Sequence, residues 1–182
     1  QVLDTLAKEN IRLLIFSNPC NPTSVGLDRG DVRRLLNGTD ALVVLDEAYM
    51  DFWDQSLLNE VEKYDNLIIL RTCSKMLGMA ALRLGFAVSN PRLTGILKAA
   101  KSPYNVNAVT QAMANVVLAN PIYRSVYREI LIESRNELLI SLRKLEAEGL
   151  LDQVYDSCTN FVYIRLKGAK RIYDLLRDRG IL

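Results

Sequence analysis

Short apolar runs alternate with helical stripes along this chain, and that alternation sets the first expectations. Residues 2–8 carry Val2, Leu3, Leu6 and Ala7 at helical spacing and read as the tail of a helix packed on a sheet. Residues 11–16 are apolar nearly throughout, the pattern of a central parallel strand covered on both faces. The following stretch, Ser17-Asn18-Pro19-Cys20-Asn21-Pro22-Thr23-Ser24-Val25-Gly26, breaks regular structure. Its two prolines lack an amide hydrogen and restrict the residues before them. Residues 28–37 predict a short helix closed by Gly38. A second buried strand spans 41–45 and runs into Asp46-Glu47-Ala48-Tyr49. A polar excursion over 51–66 holds the only tryptophan, Trp53, and two more strands are expected at 67–70 and 84–88.

The second half turns helical. Residues 93–101 form a short amphipathic piece stopped by Ser102-Pro103, and Val106, Val109, Met113 and Val116 mark one face of a helix reaching Asn120. Asn120-Pro121 is a cap and first-turn pair for a long helix to about Glu148, striped by Ile122, Val126, Ile130, Leu138, Leu142 and Leu145. Gly149 ends it. Residues 153–166 alternate in strand fashion, and a last helix over 169–179 closes at Gly180. The expected class is α/β with a wound sheet. The expected division is a large part over 1–110, interdomain helices over 111–150 and the start of a smaller α/β part over 151–182.

Composition narrows the chemistry. The 182 residues are 49% hydrophobic and 24% charged with a net charge of +2, an ordinary globular balance that points to neither nucleic acid nor a membrane surface. No apolar run approaches the roughly 20 residues of a membrane span, and Gln1 does not open a signal peptide. Cys20, Cys73 and Cys158 are widely spaced and odd in number, which argues against a disulfide framework or a cysteine zinc site and leads us to expect a cytoplasmic setting. Histidine is absent, so proton transfer within this chain falls to lysine, tyrosine or a carboxylate.

Three unusual motifs fall at expected strand ends, where open parallel sheets bind their ligands. Asn21 follows the first strand, Asp46 and Tyr49 the second, and Thr72, Ser74 and Lys75 the third, with Arg83 eight residues beyond Lys75. A carboxylate at a buried strand end is costly unless a cation meets it, and a protonated pyridine nitrogen is such a cation. A phenol and an amide can hydrogen-bond a ring oxygen, a lysine can condense with an aldehyde, and a serine with an arginine can hold a phosphate dianion. Together they describe pyridoxal 5'-phosphate. Each residue alone has an ordinary reading: Asp46 as a turn or cap residue, Tyr49 as a core aromatic, Asn21 as turn chemistry, Lys75 and Arg83 as surface charges. Their order and combination carry the stronger reading.

Asn18-Pro19-Cys20-Asn21-Pro22-Thr23, Asp46-Glu47-Ala48-Tyr49 and Thr72-Cys73-Ser74-Lys75 with Arg83 resemble the fold-type I aminotransferases. Within them, Leu45 to Tyr49 with Asp51-Phe52, Arg71 to Lys75, and Lys101-Ser102-Pro103-Tyr104-Asn105-Val106-Asn107 are most similar to the histidinol-phosphate aminotransferases. The resemblance implies a three-layer, mainly parallel sheet, a long bridging helix and the start of a small domain. It implies that Lys75 is the Schiff-base lysine and proton carrier and that Asp46 pairs with the pyridine nitrogen. Tyr49 and Asn21 would hold the phenolic oxygen, and Ser74, Arg83 and Thr72 the phosphate. It also implies an amino donor and a 2-oxo acid as substrates, and a homodimer with Tyr104 and Asn105 near its interface. A phosphothreonine-type decarboxylase and a non-enzymatic cofactor-binding regulatory domain are the alternatives. Ser24 stands where the family has glycine, with Gly26 two residues later. Without an initiator methionine, and with its last residues just past Gly180, the chain is expected to be an internal piece of a roughly twice-longer protein, inert by itself.

Overall fold

The computed structural model describes residues 1–181; Leu182, the last residue of the expected small part, lies outside the described residues. Helix α1 (Val2–Lys8) leads into β1 (Leu13–Ser17), α2 (Arg29–Asn37), β2 (Leu42–Asp46), β3 (Leu67–Thr72) and β4 (Gly85–Ser89). The sheet runs β1-β2-β3-β4, with β1 to β3 parallel and β4 antiparallel to β3. Two short 3-10 turns, Met50–Phe52 and Leu58–Lys63, stand between β2 and β3.

Register explains the core. Leu45 pairs with Phe16 and with Ile69, and Ile69 with Val88, so these residues share one face. Val32 and Leu36 of α2, with Leu57 and Val61 of the turn region, close over Val43, Leu45, Leu67 and Ile69 on that face. The helix sits there because Asp28 accepts the Asp31 amide at its start and Gly38 takes two carbonyls at its end. The opposite face carries Leu13 and Ile15, then Val44 and Asp46, then Leu70 and Thr72. Here the structure departs from the expectation for the first strand. β1 is the edge of the sheet formed by the described residues, and Leu13 (48% exposed) and Ile15 (61%) are bare. A run that is apolar on both faces is covered on one.

After β4 come α3 (Pro91–Ala100), α4 (Ala108–Leu118) and the 27-residue α5 (Pro121–Ala147), each begun by an asparagine whose side chain accepts an amide in the first turn: Asn90, Asn107 and Asn120. The expected stripe of α5 is largely exposed at Ile122, Val126, Ile130 and Leu138, while Leu131 and Ile132 pack inward. They join Tyr49, Phe52, Cys73, Met76, Leu77, Met79 and Leu84 in a second apolar cluster beyond the strand ends.

The alternating stretch 153–166 is not one strand. It is two short strands, β5 (Gln153–Val154) and β6 (Ile164–Arg165), paired antiparallel around a loop, before α6 (Ala169–Asp178). Loop residues Ser157 and Thr159 use their hydroxyls on local backbone groups, an alternative to a ladder that period-two alternation does not reveal.

Candidate functional site

The parallel register brings three chain segments to one end of the sheet. Ser17 pairs with Asp46 and Asp46 with Leu70, so the loop after β1, the end of β2 and the end of β3 lie side by side. Two backbone bonds extend the alignment past the strands: the Asn18 amide donates to the Asp46 carbonyl and the Glu47 amide to the Leu70 carbonyl, each at 2.9 Å. Asp46 and Thr72 occupy the less covered face, two residues apart in register.

Asp46 is half-buried, and its Oδ1 accepts the Ala48 amide at 2.9 Å. Among the described residues it makes no ion pair. A carboxylate with one filled acceptor and no cation suits a ligand that brings a positive N–H. Beside it, Asn21 Nδ2 donates to the Tyr49 hydroxyl oxygen at 2.9 Å. That bond leaves one Asn21 hydrogen and the Tyr49 hydroxyl hydrogen for a further acceptor. The pair can therefore offer two donors to one oxygen. Tyr49 is buried in the second cluster, whereas Asn21 is exposed.

Lys75 stands on a loop that the sequence anchors on both sides. Cys73, Met76, Leu77 and Met79 are buried, the Met79 amide closes on the Cys73 carbonyl at 3.0 Å, and Gly78 takes the positive φ the turn requires. Lys75 projects from this knot with its Nζ 5.0 Å from the centre of the Tyr49 ring. It forms no salt bridge among the described residues.

Thr72 Oγ1 accepts the Ser74 amide at 3.1 Å, shaping the turn that presents the Ser74 hydroxyl. Arg83 follows the short turn Ala80–Leu82 in a left-handed conformation, and Nη1 donates to the Ala80 carbonyl at 3.0 Å. The Cys73 amide bonds the Leu84 carbonyl at 3.0 Å, so the segments bearing Ser74 and Arg83 run together at this end of β3.

Three further groups, unassigned in the sequence, support the site. Glu47, 1% exposed, accepts Ser56 Oγ at 2.6 Å and Arg71 Nη1 at 3.0 Å, while Arg71 Nη2 reaches Asp51 at 2.7 Å. Burial pushes the Glu47 carboxyl above the ordinary glutamate range, against the opposing pull of Ser56 and Arg71. Phe161 meets Tyr49 edge to face with centroids 5.2 Å apart. Arg135 of α5 donates to the Ser157 and Thr159 carbonyls, 3.0 Å each. Glu47 was visible as the second acid of Asp46-Glu47; Phe161 and Arg135 carry no local motif. Burial raises the Cys73 thiol, consistent with a packing residue. Tyr104, 96% exposed and at positive φ, and Asn105 lie well out on the surface. Among the described residues no cluster has the make-up of a metal site and no helix is long and apolar enough to cross a membrane.

The chain is similar to known proteins over its full length. The family model for aminotransferase class I and II matches residues 1–182. A histidinol-phosphate aminotransferase of Clostridium kluyveri is 37% identical over 182 residues, all of this chain and 51% of that protein. One from Bacteroides fragilis is 39% identical over 178 residues, covering 97% of this chain and 51% of that one. Among solved structures, the Sinorhizobium meliloti histidinol-phosphate aminotransferase in complex with pyridoxal-5'-phosphate superposes with a TM-score of 0.87 at 26% identity, covering 100% of this chain and 50% of that one. The L-threonine-O-3-phosphate decarboxylase of Porphyromonas gingivalis gives 0.79 at 25% identity, covering 94% and 53%. The chain thus spans about half the length of the curated relatives it matches. On the full-length match, and with strand ends that gather the residues described above, this chain belongs to the class I and II aminotransferase family.

Proposed function

We propose that this chain forms the lysine-bearing wall of a pyridoxal 5'-phosphate site in an aminotransferase, one that moves an amino group from histidinol phosphate to 2-oxoglutarate. The observation that carries the reading is the convergence, at the ends of β1, β2 and β3, of a carboxylate and a lysine that make no ion pair among the described residues with a two-donor clamp. Those donors and acceptors fit the group: each polar face of the cofactor has a chemical counterpart here. When bound, the cofactor supplies a carbonyl that captures amines and a cationic ring that draws electrons from the substrate α-carbon.

The chain's own residues do the rest. Asp46 accepts a hydrogen bond from the protonated ring nitrogen and so holds that proton in place. Asn21 and Tyr49 donate to the ring oxygen with the hydrogens their mutual bond leaves over. Ser74 and Arg83, with Thr72 setting the turn, hold the phosphate. Lys75 anchors the cofactor and then, as a free amine, takes and returns the proton at the substrate α-carbon. Residues 1–110 are the cofactor platform, 111–150 the bridge, and 151–182 the start of a smaller domain. The assembly is a homodimer with Tyr104 and Asn105 at the contact, acting on small molecules in the cytoplasm. The names of the relatives support the substrate assignment.

The test is borohydride reduction of the pyridoxal phosphate-loaded protein followed by peptide mapping. The reduced adduct is expected on Lys75, and an adduct elsewhere overturns the assignment. The likeness to the threonine phosphate decarboxylase favours a second reading, decarboxylation with the same residues. Carbon dioxide release from threonine phosphate without any 2-oxo acid would establish it over amino transfer.

A further inference from the structure

Ser24 and the loop between β5 and β6 meet in a way the proposed reaction does not explain. Ser24 is fully buried at φ +62°, a conformation that disfavours side chains, yet it is not glycine. Its hydroxyl lies 2.6 Å from the Thr23 carbonyl and 3.1 Å from the carbonyl of Asp156, 132 residues on, sharing one hydrogen between them. Its own carbonyl accepts the Cys158 amide at 2.8 Å. The loop over 17–26 is thus tied to residues 156–158 by its side chain and its backbone together.

The same segment touches the site again at Phe161, whose ring packs against Tyr49. Between the two contacts it is stiffened from inside and from behind. Ser157 and Thr159 hydroxyls hold the Phe161 carbonyl at 2.5 and 3.0 Å, and Arg135 holds the Ser157 and Thr159 carbonyls. One end of this strap therefore holds the loop that carries Asn21, and the other holds the ring that carries the partner hydroxyl. The Asn21–Tyr49 bond at 2.9 Å joins groups that are 28 residues apart, and the strap fixes both sides of it.

We propose that Ser24 and Phe161 are positioning residues: through residues 156–161 they set the spacing of the Asn21 amide and the Tyr49 hydroxyl. The proposal rests on the cofactor reading for its purpose, because that pair is the clamp for the ring oxygen. Its geometry stands on the chain alone. The serine hydroxyl adds the bond to the Asp156 carbonyl, a side-chain tie that glycine cannot make, to the backbone tie between the Ser24 carbonyl and the Cys158 amide.

Two substitutions separate this from a packing role. Ser24→Ala keeps a β-carbon at the same φ, so it removes the hydroxyl without changing backbone strain. Ser24→Gly removes the hydroxyl and the strain together. In the 182-residue chain, amide exchange across residues 17–26 is expected to speed up about 2–10-fold in Ser24→Ala, the effect of losing one hydrogen bond, and by less in Ser24→Gly, where relief of the left-handed strain offsets part of that loss. Phe161→Leu should move the Asn21 side-chain amide resonances, which report the bond to the Tyr49 hydroxyl, and Phe161→Tyr, which keeps the ring, should leave them in place. Melting curves check that each variant folds. Unchanged exchange in Ser24→Ala, or unmoved resonances in Phe161→Leu, would overturn the strap. Pyridoxal phosphate binding, followed by quenching of Trp53 (which packs on Gly26 of the same loop), tests the positioning role. Saturable quenching weakened by the Ser24 and Phe161 variants supports both readings, and saturable quenching of equal affinity in the variants overturns the positioning role. The borohydride mapping on Lys75 decides the cofactor reading separately, and the exchange and resonance data decide the strap.

Discussion

Replacing Asp46 by asparagine isolates the interaction on which the cofactor reading most depends. Asparagine keeps an oxygen for the Ala48 amide, now accepted by Oδ1 at 2.9 Å, so the turn after β2 should survive and stability should stay within about 0.5 kcal/mol. What disappears is the negative charge. Two unit charges about 3 Å apart at an effective dielectric of about 20 attract by roughly 5–6 kcal/mol before desolvation is counted. Asp46 is half-buried, so desolvation removes much of that, and the net value of a charged hydrogen bond is about 1.5–3 kcal/mol. Pyridoxal phosphate affinity should therefore fall about 10- to 150-fold. Equilibrium dialysis gives the constants. An analogue with carbon in place of the ring nitrogen supplies the control, since it should bind the parent and the variant alike. Equal affinity of Asp46→Asn and the parent for pyridoxal phosphate would refute the pairing and remove the reason for the carboxylate's position.

Two other consequences are open to direct measurement. Burial raises the Glu47 carboxyl in the folded chain, so folding holds that proton more tightly than the unfolded chain does. Its contribution is complete below the ordinary glutamate range near about 4.3 and is lost as pH rises through the raised value, a descending limb that Glu47→Gln should erase from urea midpoints measured against pH. A parallel limb in the variant would place the titration elsewhere. Gly26→Ala puts a β-carbon 2.4 Å from Trp53 Cζ3 and 2.9 Å from Asn18 Oδ1. It should cost about 1–3 kcal/mol in a urea melt and shift the Trp53 emission, and a silent substitution would contradict the close packing of that loop.

The placement of the candidate residues at strand ends was more legible in the sequence than the coverage of the strands themselves. Asp46 and Lys75 sit where apolar runs stop abruptly at polar residues, and in a parallel sheet such stops share one end of the molecule. The helix start at Asn120 was readable because a capping side chain acts on its own next turn, whereas the start at Asn107 was not, and Val106 falls outside the helix it was expected to face. Coverage was not readable. The run over 11–16 is equally consistent with one covered face or two, since apolarity records tolerance for burial and not the presence of a neighbour. The direction of β4 was hidden for a similar reason, as a short apolar strand looks the same parallel or antiparallel. Phe161 and Arg135 carry no local signal of their contacts because their partners, Tyr49 and the Ser157 and Thr159 carbonyls, lie far off in sequence or on backbone atoms that no residue type announces.

The bare edge of β1 has a consequence for how this chain behaves in solution. The five residues Leu13–Ser17 contain no proline, lysine or other charge to discourage a visiting strand, and an edge of that kind is a template for pairing. Any strand that docks along it also abuts the loop that begins at Asn18, because β1 feeds straight into that loop. In the 182-residue chain, association along that edge would act on the same few residues as ligand binding. A dilution series beside each titration would read it, and concentration-independent affinities would show that the edge stays unpaired.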